Sequence, residues 1–330
     1  MSTAAGAHFA DRWRGRVTAA ASATWRLTRR TAEAAFRYRV TGLAAEAAFF
    51  ALLSLPPLML GLIGMFGYFH GVLGGHTIAR IRGFVMDTAH TVLTDSVVDA
   101  AVKPLLADIL RGGRTDIVSI SFLISLWSGS RALNVYVDTI TIAYGLNGLR
   151  GIIRTRVLSF ALYVIGLLGG TVAIPLLVMG PTLIRDALPV SPLVVQIFYW
   201  PVLVVLCVLF LTGLYTAAVP VRVPWWRNLP GAFLALVIWI IGSAALRLYL
   251  GVSLAGVSIY GPLAAPIAVL AWLYVTAIAT LIGALLNATS DQLWPIQATR
   301  HAREARARAT QPMRIGAITL RSRHETGRGD

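Results

Sequence analysis

Six apolar stretches, each long enough to cross a bilayer, divide this chain, and they leave few choices of fold. They run over Leu43–Phe69, Ile117–Val135, Val157–Ile184, Leu193–Val219, Leu229–Leu250 and Leu263–Ala288. A helix needs about 20 predominantly apolar residues to cross the hydrocarbon core. The expected fold class is therefore all-α, a polytopic membrane protein with six transmembrane helices. Composition agrees: 57% of 330 residues are hydrophobic and 13% charged, and the mean hydropathy is +0.71. That leaves too little polar surface to coat a soluble globule.

A net charge of +15 would point to nucleic acid in a soluble protein, so the placement of the charges decides their meaning. Arg12, Arg14, Arg16, Arg26, Arg29, Arg30, Arg37 and Arg39 crowd the N-terminal arm. Arg150, Arg154 and Arg156 follow the second span, Arg222 and Arg227 follow the fourth, and Arg300, Arg303, Arg306 and Arg308 begin a basic tail. By the positive-inside rule these regions are cytoplasmic, with both termini inside. The third-to-fourth connection has only Arg185, and the fifth-to-sixth has no Lys or Arg after Arg247, so both face outward. The expected domains are a basic amphipathic arm (1–42), a six-span membrane domain (43–288) and a basic, loosely ordered tail (289–330).

Phe9, Trp13, Val17, Trp25, Thr28, Ala32 and Phe36 recur near helical spacing between the arginines, which predicts an interfacial helix on the inner leaflet. Its expected partners are membrane lipids, anionic at the cytoplasmic face. Between spans 1 and 2, Ile78, Ile81, Val85, Ala89 and Val92 form one stripe, and Val98, Ala101, Val102, Leu105, Leu106 and Ile109 another. These predict an external helical hairpin at 70–116. No signal peptide is visible, so the first span is expected to act as an uncleaved anchor. The single cysteine, Cys207, falls in the fourth span and reads as packing.

Prolines mark places where spans can bend: Pro56–Pro57, Pro175, Pro201 and Pro266. Ala279, Gly283 and Asn287 recur at four-residue intervals in the sixth span, leaving one side small enough for another backbone to approach.

Charge within a membrane is costly, about 2.5–3.5 kcal/mol on insertion scales, and marks a polar pathway or a pair. Glu46 comes early in the first span and Arg131 late in the second, followed on one helical face by Asn134 and Asp138. Asn287 ends the sixth span. Topology puts Glu46, Arg131 and Asn287 at similar depth. Trp127, Ser128 and Ser130 just before Arg131 either line a polar groove or, for the serines, return their hydroxyls to their own helix backbone, the commoner arrangement in membrane helices. Arg131 either pairs with Glu46, reaches the headgroups independently by snorkelling, or takes another partner.

The segments AAEAAFFALLSLPPLML (44–60), LWSGSRALNVYVDTITIAYG (126–145) and YGPLAAPIAVLAWLYVTAIATLIGALLNA (260–288) resemble the YihY/BrkB family of bacterial inner-membrane proteins, once labelled ribonuclease BN. The resemblance covers about residues 40–290. It implies six spans with both ends cytoplasmic, and signature positions at Ser54, Pro57, Trp127, Ser130, Arg131, Tyr144, Gly145, Tyr260, Gly261, Trp272, Gly283 and Asn287. Members commonly read G-A-E-x-N where this chain has Leu285, while Glu46 stands where an apolar residue is usual. The acidic partner of Arg131 is thus expected to have moved to the first helix.

Family labels include ribonuclease, serum-resistance factor and exporter of lipid or envelope material. Nuclease chemistry needs carboxylates or histidines converging on a metal or water, whereas the six histidines here are scattered along the chain. No GxxxxGK[ST] loop occurs. The expected function is transport of a lipid or envelope-related substrate, without enzyme activity, cofactor, metal or specific nucleic acid. The alternative is a non-transporting scaffold for envelope assembly, with envelope-assembly partners or a second copy of the chain as its contacts.

Overall fold

Lipid offers no partner to backbone N–H and C=O groups, so an apolar stretch in a membrane must satisfy its own as a helix. The computed structural model describes residues 22–68, 83, 86, 103–104, 115–187, 192–254 and 264–310, and these hold helices and turns without a strand. Residues 22–37 form α1. It is followed by α2 (Val40–Tyr68), α3 (Thr115–Ala143), α4 (Ile152–Ala187), α5 (Pro192–Ala218), α6 (Leu229–Leu254), α7 (Ala264–Leu293) and α8 (Gln297–Thr310). A 3-10 turn at Trp225–Asn228 leads into α6.

Each apolar stretch falls on one of α2 to α7. Five of these helices, α6 together with the 3-10 turn before it, carry a segment long and apolar enough to cross a membrane: Val40–Leu58, Ile152–Gly170, Tyr199–Ala218, Trp225–Gly251 and Pro266–Leu293. The other, α3, is 29 residues long but is diluted by Asp116, Arg131, Asn134 and Asp138. It runs well past Val135, where the apolar pattern thins out. Its polar positions do not break it, because Thr139 and Thr141 hydroxyls return to the carbonyls of Val135 and Val137 within the same helix.

Helix α3 packs against α2, α4, α5 and α7. Its register with α2 is antiparallel and held by hydroxyls: Ser125 Oγ donates to Ser54 O at 3.1 Å and Ser128 Oγ to Phe50 O at 3.0 Å. Pro56 and Pro57 lie inside α2, which continues through them, as α5 continues through Pro201. The core gathers where α3, α5 and α7 end and α2 and α6 begin. It includes Ala44, Ala47, Val137, Ile140, Tyr215, Leu281 and Leu285. Many of its members are alanines, so backbones approach closely and dispersion replaces the hydrophobic drive that lipid does not supply. The outward faces carry exposed Phe49, Leu53, Leu123, Phe160, Phe210, Phe233 and Ile241.

The amphipathic arm is described from residue 22. In α1 the apolar stripe Trp25–Phe36 stays exposed, while Thr31 and Ala34 on another face are buried against the bundle. The corner into α2 is made by Arg39, a non-glycine residue at φ 52°. Of the tail, residues up to 310 are described, and 297–310 form α8, because alanine and arginine favour helix and its inner face is tied to the bundle; the rest of the expected loosely ordered tail lies outside the described residues. Of the segment 70–116, expected to form an external helical hairpin, only positions 83, 86, 103 and 104, together with the start of α3, fall within the described residues. Tyr260 and Gly261 lie outside them.

Candidate functional site: a polar seam on an apolar flank

Arg131 and Glu46 meet across the α2–α3 contact because the serine-fixed register brings them level. Arg131 Nη2 lies 3.6 Å from Glu46 Oε1, with 46% and 40% of the two side chains exposed. The guanidinium also sits 5.5 Å from the Phe50 ring centroid. In water such an exposed pair contributes little, but it lies beside exposed Phe49 and Leu53, on a face suited to hydrocarbon.

The polar group continues along α3 onto α4. Asn134 Nδ2 donates to Asp138 Oδ2 at 2.6 Å, and Ser159 Oγ on α4 donates to Asn134 Oδ1 at 3.2 Å. Arg131, Glu46 and Arg156 all lie near enough to act on the Asp138 carboxylate. Arg156 Nη2 donates to Trp127 O at 3.4 Å, and its guanidinium stands 5.9 Å from the Trp127 ring, which is 59% exposed. The result is a seam of two guanidiniums, two carboxylates, an amide and a hydroxyl. Ser130 is buried and returns its hydroxyl to Trp127 O within α3, so it does not line the seam.

Asn287 stands apart from this group. Its Oδ1 accepts from Gly231 N at 2.8 Å, and its Nδ2 donates to Asn228 O at 3.0 Å. The expectation of similar depth fails on helix length. Gln292 Nε2 donates to Ala143 O, so α3 and α7 end together. Counting back from those ends puts Arg131 about six residues, ~9 Å, deeper than Asn287. The amide instead caps the first turn of α6, whose N–H groups have no partner within the helix. Leu285 is 1% exposed and belongs to the apolar core, in surroundings unlike those of the half-exposed pair.

Other signature positions are structural in this fold. Gly145 (φ 71°) ends α3: Leu146 N donates to Thr141 O, and Gly145 N to Ile142 O, a Schellman turn that favours glycine. Gly283 faces Gly231 with no room for a Cβ on either. Tyr144 OH donates to Asn228 Oδ1 at 3.1 Å, and burial, then the nearby Asp291 charge, push its ionisation up, so it stays a neutral donor. Trp272 packs edge-to-face with Trp239 at 6.3 Å. Ser54 is buried and returns its hydroxyl to Ala51 O.

Sequence reading assigned the basic residues a topological role and missed a second one. The three helices that end at this side leave their last carbonyls without helical partners, and arginines take them. Arg150 donates to Ala217, Ala218 and Val219 carbonyls at the end of α5. Arg227 donates to Trp294 O just past α7. Arg303 Nε and Arg306 Nη1 on α8 donate to Tyr144 O and Gly145 O past α3. Arg303 is held in turn by Asp291 Oδ2 at 2.5 Å, while Thr299 Oγ1 donates to Asp291 Oδ1. Cations at helix C-termini also complement the macrodipole. The signal was present, since basic residues lie within a turn or two of each helix end.

Among the described residues, no group of three His, Cys, Asp or Glu side chains comes together. The chain is 25% identical over 253 residues to "Putative ribonuclease-like protein YfkH" of Bacillus subtilis (strain 168), covering 73% of this chain and 86% of that protein. No solved structure matches it. The profile of the family described as Virulence factor BrkB matches residues 32–309, from α1 through nearly all of α8. The chain belongs to the Virulence factor BrkB family.

Proposed function

We propose that this protein is a six-span transporter of the bacterial inner membrane that moves a lipid or envelope-related substrate along the seam of Glu46, Arg131, Asn134, Asp138 and Arg156. Here α3 is the sixth span. It crosses despite its charges because those charges face one another or neighbouring polar groups. The end bearing α8 faces the cytoplasm, as the arginines gathered there require, so the arm, the tail and both termini are cytoplasmic.

The observation that carries the reading is a nearly half-exposed ion pair, continuous with the polar seam and bordered by exposed apolar side chains. A purely structural pair would gain by turning inward. Lateral exposure instead gives a polar headgroup access from the bilayer while its chains stay in lipid. The ribonuclease-like wording attached to the relative is not carried over, since the seam offers paired charges rather than a convergent donor set.

Purified protein in liposomes loaded with labelled lipid tests this. Transbilayer movement that Arg131→Ala abolishes is the expected result. Inert liposomes, combined with a stoichiometric envelope protein retained by the purified chain, would replace transport with the scaffold reading.

A further inference from the structure

The charges along the seam alternate in sign. Glu46 faces Arg131 at 3.6 Å, and Asp138, held by Asn134 at 2.6 Å, lies within the fields of both Arg131 and Arg156. The formal charges of these four side chains sum to zero. A simple anion entering here meets two carboxylates, and a simple cation meets two guanidiniums. A ligand carrying both signs a few ångströms apart meets neither penalty.

The hydrogen-bond inventory is also incomplete. Arg156 makes one long bond, 3.4 Å to the Trp127 carbonyl, and its buried Nη1 has no partner. On the same α3–α4 contact, the buried Tyr163 hydroxyl has none either, and its ring packs onto Gly129. Buried donors without acceptors cost free energy. A phosphate oxygen is a strong acceptor for a guanidinium already positioned by an aromatic ring. On the acidic side, a primary ammonium supplies three N–H donors to carboxylates, whereas a quaternary ammonium supplies none. Exposed Trp127, Phe49, Leu53 and Ile124 flank the charges with apolar surface for acyl chains.

We propose that the seam binds a phospholipid whose headgroup is a zwitterion of phosphate and primary ammonium, with phosphoethanolamine chemistry. The phosphate bonds Arg156 and Arg131, and the ammonium bonds Glu46 and Asp138. This rests on the transport reading only for its purpose, because the binding itself is measurable without flux.

The test counts lipid bound to the purified, detergent-solubilised full chain by native mass spectrometry. Phosphatidylethanolamine, phosphatidylglycerol and phosphatidylcholine with identical acyl chains are compared, together with soluble phosphoethanolamine. At least fivefold preference for phosphatidylethanolamine over both other lipids is expected in the unmodified protein. Equal binding of the three, or a preference for phosphatidylglycerol, overturns the proposal without any variant. Soluble phosphoethanolamine is expected to bind more weakly, and equally tight binding would overturn the lipid assignment in favour of the free headgroup. Arg156→Ala should lower phosphatidylethanolamine binding about fivefold. Glu46→Gln should raise phosphatidylglycerol relative to phosphatidylethanolamine, a change of selectivity that loss of packing does not produce. Unchanged selectivity in well-folded Glu46→Gln protein contradicts the ammonium assignment. Selective binding without flux would sink the transport function and leave the headgroup site standing; flux without selectivity would do the reverse.

Discussion

Gly231 on α6 and Gly283 on α7 meet backbone to backbone, each occupying the space that a Cβ on the other would need. Asn287, one turn beyond Gly283, then reaches Gly231 N and Asn228 O. Close approach and amide cap are one device. Small residues bring the helices together, and only at that separation does a short amide span the gap.

Substitution at this contact forces the backbones apart. Gly283→Leu is expected to cost about 2–3 kcal/mol by overpacking, or roughly 3–4 °C in thermal melts of the detergent-solubilised protein. Gly166→Leu is the control, because nothing lies within 4 Å of its Cβ position, and it should leave the melting temperature nearly unchanged.

Docking of α8 depends on Asp291, which holds Arg303 and Thr299. Asp291→Ala leaves that arginine partly buried without its carboxylate and frees the helix to detach. Limited trypsin treatment should then cut after Arg303 and Arg306 several-fold faster than in the unmodified protein, while the membrane helices stay protected. An unchanged cleavage rate would show that the carbonyl contacts to Tyr144 and Gly145 suffice.

Six helices were legible because hydropathy over long windows depends on many residues at once. The extent of α3 was not, since Asn134, Asp138, Thr139 and Thr141 look like a span's end until their bonding partners are known. The contact face of Gly283 and Asn287 could be read from its four-residue spacing. The partner of Asn287 could not, because relative depth depends on how far each helix runs beyond its apolar stretch. α8 was hidden for a related reason: its inner face is built from Thr299, Arg303 and Arg306, and no hydrophobic stripe announces it.

Reversing either charge of the Glu46–Arg131 pair places like charges together on a flank facing lipid. Glu46→Arg and Arg131→Glu should each cost about 2 kcal/mol or more, roughly 3 °C or more in melting temperature. The double reversal should recover most of that loss. A double variant no better than the worse single variant would show that the two side chains act independently.

Restoring an acid at the sixth span tests where Arg131 can find one. Leu285 is enclosed in the core, and an unpaired carboxylate there carries a desolvation cost. Leu285→Glu is therefore expected not to restore stability to Glu46→Ala protein. Recovery of the melting temperature would show that Arg131 reaches into the core.

The proposed route requires the arginine-capped end of the bundle to lie in the cytoplasm. Asn147 and Ala305 are exposed at that end, and Cys207 is the only cysteine to remove. Single cysteines placed at 147 or 305 in a Cys207→Ser background should react with a membrane-impermeant maleimide only after the inner membrane is permeabilised. Labelling of either position from the outer side of an intact inner membrane would invert the bundle and contradict the proposed route.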